Sequence, residues 1–276
     1  MGESQSSLSL HQGTSTDPAE PTREVRAMLL HRGLPVELVL DTMELAEYHP
    51  TVTTERTDTV TVNASQFEGG NYCSSLLYFV SPPLPSGKGG ESWKAKKVVW
   101  VIEGHDQGGG EEVPGSSPLV VALAMRRLLT HSLFMPIIPE TYDGASSWYE
   151  ACIFRPRHGE DTAEDLNFLS THNLCRVPTD VQGKTRWDLA DDGNTSTWVV
   201  QNNRVARSDL ETHIVEWKVG EVMDSRYARE HGHGTGQGFL ATLRPGDRVG
   251  LWLRAQYPGW SNTLARAAVH ITYDVP

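Results

Sequence analysis

The chain has 276 residues, 38% of them apolar and 8 of them tryptophan, enough to bury the core of one large domain. Its 24 Lys+Arg against 35 Asp+Glu leave a net charge of −11, which excludes a general phosphate-binding surface, because nucleic-acid affinity rests on Lys and Arg neutralising phosphates. The one dense basic cluster is Lys94, Lys96 and Lys97.

Residues 1–24 are polar, hold Pro18 and Pro21, and lack the continuous apolar stretch of a signal peptide; they read as a disordered leader. Residues 25–50 read as a helical segment. From Leu34 to Tyr48 the pattern predicts a helix, with Gly33 before it, Pro35 at a first helical position and Pro50 after it. Val36, Val39, Leu40 and Met43 form its apolar stripe, widened by Leu38, Leu45 and Ala46, and that face needs a packing partner.

From Thr51 the chain turns β-like. Strands are predicted at Thr51–Val62, Ser75–Val80, Lys97–Glu103, Trp148–Phe154, Thr197–Gln201, Glu211–Val219, Arg248–Ala255 and Ala267–Tyr273, divided by Gly, Pro, Asn and Asp clusters. No helices alternate regularly with them, so residues 51–276 are expected to form a mainly β, antiparallel β-sandwich. Two long connections interrupt it: a helical or irregular insertion near 111–140 and a polar stretch near 155–194. The longest apolar run, Leu119–Met125, ends at Arg126-Arg127, far short of a membrane span, so no membrane partner is expected. Cys73, Cys152 and Cys175 have no CxxC spacing and suit a reducing compartment, cytoplasmic or nuclear.

Catalytic signatures are poor. Gly183-Lys184-Thr185 ends like a phosphate-binding loop, but Pro178 stands where its first glycine belongs, and neither G-x-S-x-G nor H-E-x-x-H occurs. His231-Gly232-His233-Gly234-Thr235-Gly236-Gln237-Gly238 places two imidazoles two residues apart, near Asp224 and Glu230. Without a third ligand at a recognised spacing, a flexible glycine loop before a Phe239 strand is the preferred reading over a metal site. No enzyme activity, metal or cofactor is therefore expected.

Gly104-His105-Asp106-Gln107-Gly108 ends a strand with a polar triplet that either caps a turn or binds a ligand. Tyr257-Pro258-Gly259-Trp260-Ser261-Asn262 is a turn expected to present Trp260 outward with Asn262 beside it, a surface suited to stacking on a sugar ring. Arg248, Trp252 and Arg254 share a parity opposite to Val249, Leu251 and Leu253. One face of that strand should be core, and the other offers guanidinium groups to Asp106, Glu150 or Glu216 or to an aromatic ring.

Two resemblances follow from these residues. Leu34-Pro35-Val36-Glu37-Leu38 with its helix resembles the opening of an F-box. That implies docking on the adaptor subunit of a cullin-type ubiquitin ligase through Leu34, Pro35, Leu38 and Val39. The series Gly104-His105-Asp106-Gln107-Gly108, Ser147-Trp148-Tyr149-Glu150-Ala151, Trp198-Val199-Val200-Gln201-Asn202-Asn203, Leu243 to Trp252 and Arg254 to Trp260 is similar to an uncharacterised β-rich domain of fungal proteins. That domain often follows an F-box-like helix or accompanies ankyrin repeats, and it brings no activity with it.

The layout is similar to galactose-binding-like or phloem-lectin-like sandwiches. The expectation is a non-catalytic recognition protein that binds a protein or glycoprotein partner for ubiquitin-ligase substrate selection, or alternatively an intracellular lectin-like carbohydrate-binding module. The ligand residues would be His105, Asp106, Gln107, Glu150, Arg254, Trp260 and Asn262.

Overall fold

A computed structural model of the chain describes residues 17–64, 73–85, 93–106, 141–156, 170–172, 187–190, 192–193, 195–205, 207–257 and 259–274. Two helices open it: α1, Glu20–His31, and α2, Val36–Leu45. Eleven strands follow among the described residues. They are β1 (Thr51–Arg56), β2 (Val60–Asn63), β3 (Cys73–Val80), β4 (Lys94–Asp106), β5 (Ser147–Pro156) and β6 (Ser170–His172), then β7 (Trp187–Leu189), β8 (Thr197–Asn202), β9 (Glu211–Lys218), β10 (Arg248–Gln256) and β11 (Ser261–Asp274). Between β9 and β10 lie α3, Ser225–His231, and α4, Phe239–Thr242.

The strands form two antiparallel sheets. One runs β1-β11-β4-β9 with β2 also on β11, and the other runs β6-β3-β10-β5-β7 with β8 also on β5. The expected mainly β sandwich is what the chain builds. Alternation explains it: along β9, His213, Val215 and Trp217 are buried while Thr212, Ile214, Glu216 and Lys218 are exposed. Val98, Trp100 and Ile102 of β4 meet Tyr149, Ala151 and Ile153 of β5 and Val249, Leu251 and Leu253 of β10 in one core.

At one side of this core Phe239 sits among three indoles. Its ring centroid lies 5.0 Å from Trp217, 5.1 Å from Trp198 and 6.2 Å from Trp100, edge-on contacts that each contribute about 0.5–1.5 kcal/mol beyond the area they bury. Phe239 thus starts a helical turn and not a strand.

The far face of the second sheet is also covered. Cys152, Phe154, Leu189 and Trp252 form a second buried cluster with Leu77 and Val80. The expected 51–62 strand is two strands, because the chain leaves the sheet at residues 57–59. The 155–194 connection contributes β6 and β7. Helix α1 begins inside the stretch expected to be a leader, whereas residues 1–16, the 111–140 insertion and the Gly183-Lys184-Thr185 string lie outside the described residues.

Candidate functional site

Asp106 and Asn262 are brought together as direct partners across β4 and β11, and both are fully buried. The Asn262 Nδ2 donates to the Trp148 carbonyl at 2.9 Å and to the Arg254 carbonyl at 3.0 Å, tying the first sheet to the backbone of the second. These two bonds fix the amide orientation, so Oδ1 faces the Asn203 Nδ2, which donates to it at 3.0 Å. Asn203 also donates to Ser147 Oγ at 3.0 Å, and Ser147 donates to Asp106 Oδ1 at 3.3 Å.

Beside this chain the Tyr149 hydroxyl donates to the Thr263 carbonyl at 3.1 Å, and burial pushes its pKa well above the ordinary tyrosine range. Gly104 makes room for that phenol, since a Cβ there would lie 2.0 Å from the Tyr149 oxygen. The arrangement locks one end of the sandwich from within.

Glu150 and Arg254 form a second group on the opposite side of the second sheet. Arg254 is fully buried and donates through Nε to Glu150 Oε2 at 2.8 Å. Trp148 Nε1 donates to the other carboxylate oxygen at 3.2 Å, and the guanidinium lies 5.1 Å from the Trp252 ring centroid. This is the pairing and stacking that strand parity allowed. Nearby, Trp252 Nε1 donates to Cys152 Sγ at 3.0 Å, and burial pushes that thiol up to about 12, against thiolate chemistry.

The seven expected ligand residues therefore do not meet on one surface. Asp106 and Asn262 face the core, while Glu150 and Arg254 face away from it. His105 is half-buried, with Nδ1 against the Asp106 carbonyl, and Gln107 lies outside the described residues.

Trp260 corrects its expectation. It is 7% exposed and belongs to the core, its carbonyl accepting from the Ala64 N–H at 2.9 Å. Neither Trp260 nor Asn262 offers a stacking platform to a sugar, because the turn directs both inward. Ser147 and Asn203 complete the buried network and were missed, since a serine and an asparagine beside strand ends read equally well as turn formers.

The glycine string is held, not loose. Gly234 N donates to the Val200 carbonyl at 2.9 Å and Asn202 N to the Gly232 carbonyl at 2.8 Å, while Trp217 Nε1 donates to the Gly234 carbonyl at 2.8 Å. Asp224 caps α3 through the N–H groups of Arg226 and Tyr227, and Glu230 pairs with Arg226 at 2.9 Å. Both acids are thus engaged away from His231 and His233. Among the described residues no three of His, Cys, Asp and Glu are grouped to hold a metal ion. Burial lowers His233, with the neighbouring His231 adding to it, and burial followed by His233 takes the buried His213 down to about 4.

Among the described residues the helical hairpin stands open. Gly33, at φ +85°, turns α1 into α2, and Glu47, at φ +47°, ends α2 with Tyr48 N donating back to the Met43 carbonyl at 2.9 Å. Only Val39 and Met43 of α2 are buried. Lys96 pairs with Glu44, holding that carboxyl below its usual range, and Lys97 lies 3.3 Å from Glu47. These pairs pin the C-terminal end of α2 to the start of β4. Leu38 is 51% exposed and Leu45 87%, with Leu34, Val36 and Leu40 exposed beside them and Met28 and Leu30 exposed on α1.

The expected stripe is therefore split. Val39 and Met43 are buried, Val36 and Leu40 are exposed, and Val39 is not available for docking. No protein-family model matches the chain, and none of the curated proteins matches it. Among the described residues no helix is long and apolar enough to cross a membrane.

Proposed function

We propose that the protein is a non-catalytic recognition protein. Its helical hairpin docks on the adaptor subunit of a cullin-type ubiquitin ligase, and its β-sandwich binds a protein or glycoprotein partner. The observation that carries this reading is the exposure of Leu34, Val36, Leu38, Leu40 and Leu45 on a hairpin whose other side is anchored to the first sheet. Large apolar side chains gathered in water are costly, and such gatherings mark protein-binding surfaces. This set includes the leucines of the Leu34-Pro35-Val36-Glu37-Leu38 segment.

The split face gives the docking model its geometry. Val39 and Met43 are the buried side of α2, and Leu38 and Leu40, one position before and one after Val39, emerge on the two sides of it. A partner with an apolar groove covers them without disturbing the sandwich. Purified adaptor subunit mixed with the full chain is expected to form a complex that Leu38→Asp abolishes while thermal unfolding stays unchanged. A wild-type chain that is folded yet captures no adaptor overturns the proposal.

A further inference from the structure

Among the described residues, most of the large apolar side chains left in solvent fall in two places. One is the hairpin. The other is β9 with its flanks, where Leu210, Ile214, Val219 and Val222 are exposed. β9 is the edge of the first sheet. It pairs with β4 from Gly104↔Glu211 to Lys97↔Lys218 without a register shift. Among the described residues its other side is engaged by backbone at its end, where the Lys218 carbonyl accepts from the Glu221 N–H at 3.2 Å. With no proline and no bulge, Thr212 to Glu216 leave a straight row of backbone donors and acceptors, a ready template for a further strand.

We propose that a second copy of this chain pairs there, β9 against β9, antiparallel about a twofold axis, so that two five-stranded sheets become one. The sequence of β9 favours its own copy. Side chains alternate between faces, so only registers that place Thr212, Ile214, Glu216 and Lys218 opposite one another keep the solvent row on one side. Two such registers are centred on the strand.

With Val215 on the axis, Ile214 faces a glutamate and the two Glu216 carboxylates become diagonal neighbours. With Ile214 on the axis, the two Ile214 side chains cover each other and Thr212 faces the Glu216 of the second copy. Leu210 then lies under the aliphatic stem of a Lys218, and no like charges face. The second register is the one assigned. A seam of one strand is short, so the dimer is weak and concentration-dependent.

Lys218, at the end of this seam, neighbours Glu44 and Glu47 of the hairpin, but the pairing does not rest on adaptor docking. Sedimentation velocity of the full chain, from low to high micromolar, tests it with four variants. Wild type is expected to shift from monomer towards dimer. Ile214→Lys, at a 62% exposed position and therefore folded with unchanged thermal unfolding, should weaken association at least tenfold, because it opposes two lysines on the axis. Leu38→Asp should leave it unchanged. Ile214→Cys should give a disulfide-linked dimer on oxidation, and Lys218→Cys, which does not face itself, should not. A wild-type chain that stays monomeric overturns the proposal. So does association that survives Ile214→Lys or that is lost in Leu38→Asp instead.

Discussion

Asn262 makes three hydrogen bonds with one amide, so even an isosteric replacement fails there. Asn262→Ala removes three buried hydrogen bonds, those to the Trp148 and Arg254 carbonyls and the one from Asn203 Nδ2, and should cost about 2–4 kcal/mol in urea unfolding. Asn262→Asp points a carboxylate at two carbonyls and should cost at least as much. Glu150→Gln removes the carboxylate charge facing the buried Arg254 guanidinium and should cost about 3–5 kcal/mol. The double variant Glu150→Leu/Arg254→Met should unfold at higher urea than Glu150→Gln. His213 makes the protein sensitive to acid. Its folded value, about 4, lies below the ordinary 6.5, so the unfolded chain takes the proton first. The stabilisation is complete above about pH 6.5 and is lost as pH falls towards 4. His213→Gln should narrow the gap in urea midpoint between pH 7.5 and pH 4.5, and an unchanged gap would show that His213 stays solvated. The sequence made Asp106, Glu150, Arg254 and Asn262 visible as polar residues at strand ends. It could not say which way Trp260 points, because a turn has no alternation from which to read a face.

At the scale of elements, α2 shows how far periodicity reaches. Its apolar stripe is evident in the sequence, yet a stripe says only that a face avoids water, and the flanking Lys96 and Lys97 pairs settle which part meets the domain. Val39→Asp should release the hairpin, raising amide exchange throughout α1 and α2, whereas Leu38→Asp should change stability by less than about 0.5 kcal/mol. Equal effects of the two would remove the split face. The short helices α3 and α4 escaped notice because seven and four residues carry too little periodicity, and glycines flank both. The glycines themselves are explained by contact. A Cβ on Gly234 would lie 1.6 Å from the Val199 carbonyl oxygen, so Gly234→Ala should push the segment off β8, break the Trp217 bond and red-shift tryptophan fluorescence.

For the whole molecule, alternating strands and turn residues were enough to name an antiparallel sandwich, since each strand must bury one face and only two stacked sheets satisfy them all. The partition of strands between the sheets was not legible. It depends on contacts such as β4 with β11, whose residues stand more than 150 positions apart. The candidate ligand residues separate for the same reason: Asp106 and Asn262 of the first sheet face the core, while Glu150 and Arg254 of the second face away from it. Among the described residues the hairpin is the exposed apolar surface assigned to the adaptor, and the account stands on it. The most direct measurement is the affinity of the purified cullin-ligase adaptor subunit for the full chain, titrated against wild type, Leu38→Asp and Ile214→Lys. Saturable binding to wild type and Ile214→Lys, lost in Leu38→Asp, is the predicted result; no binding to folded wild type, or binding indifferent to Leu38→Asp, contradicts it.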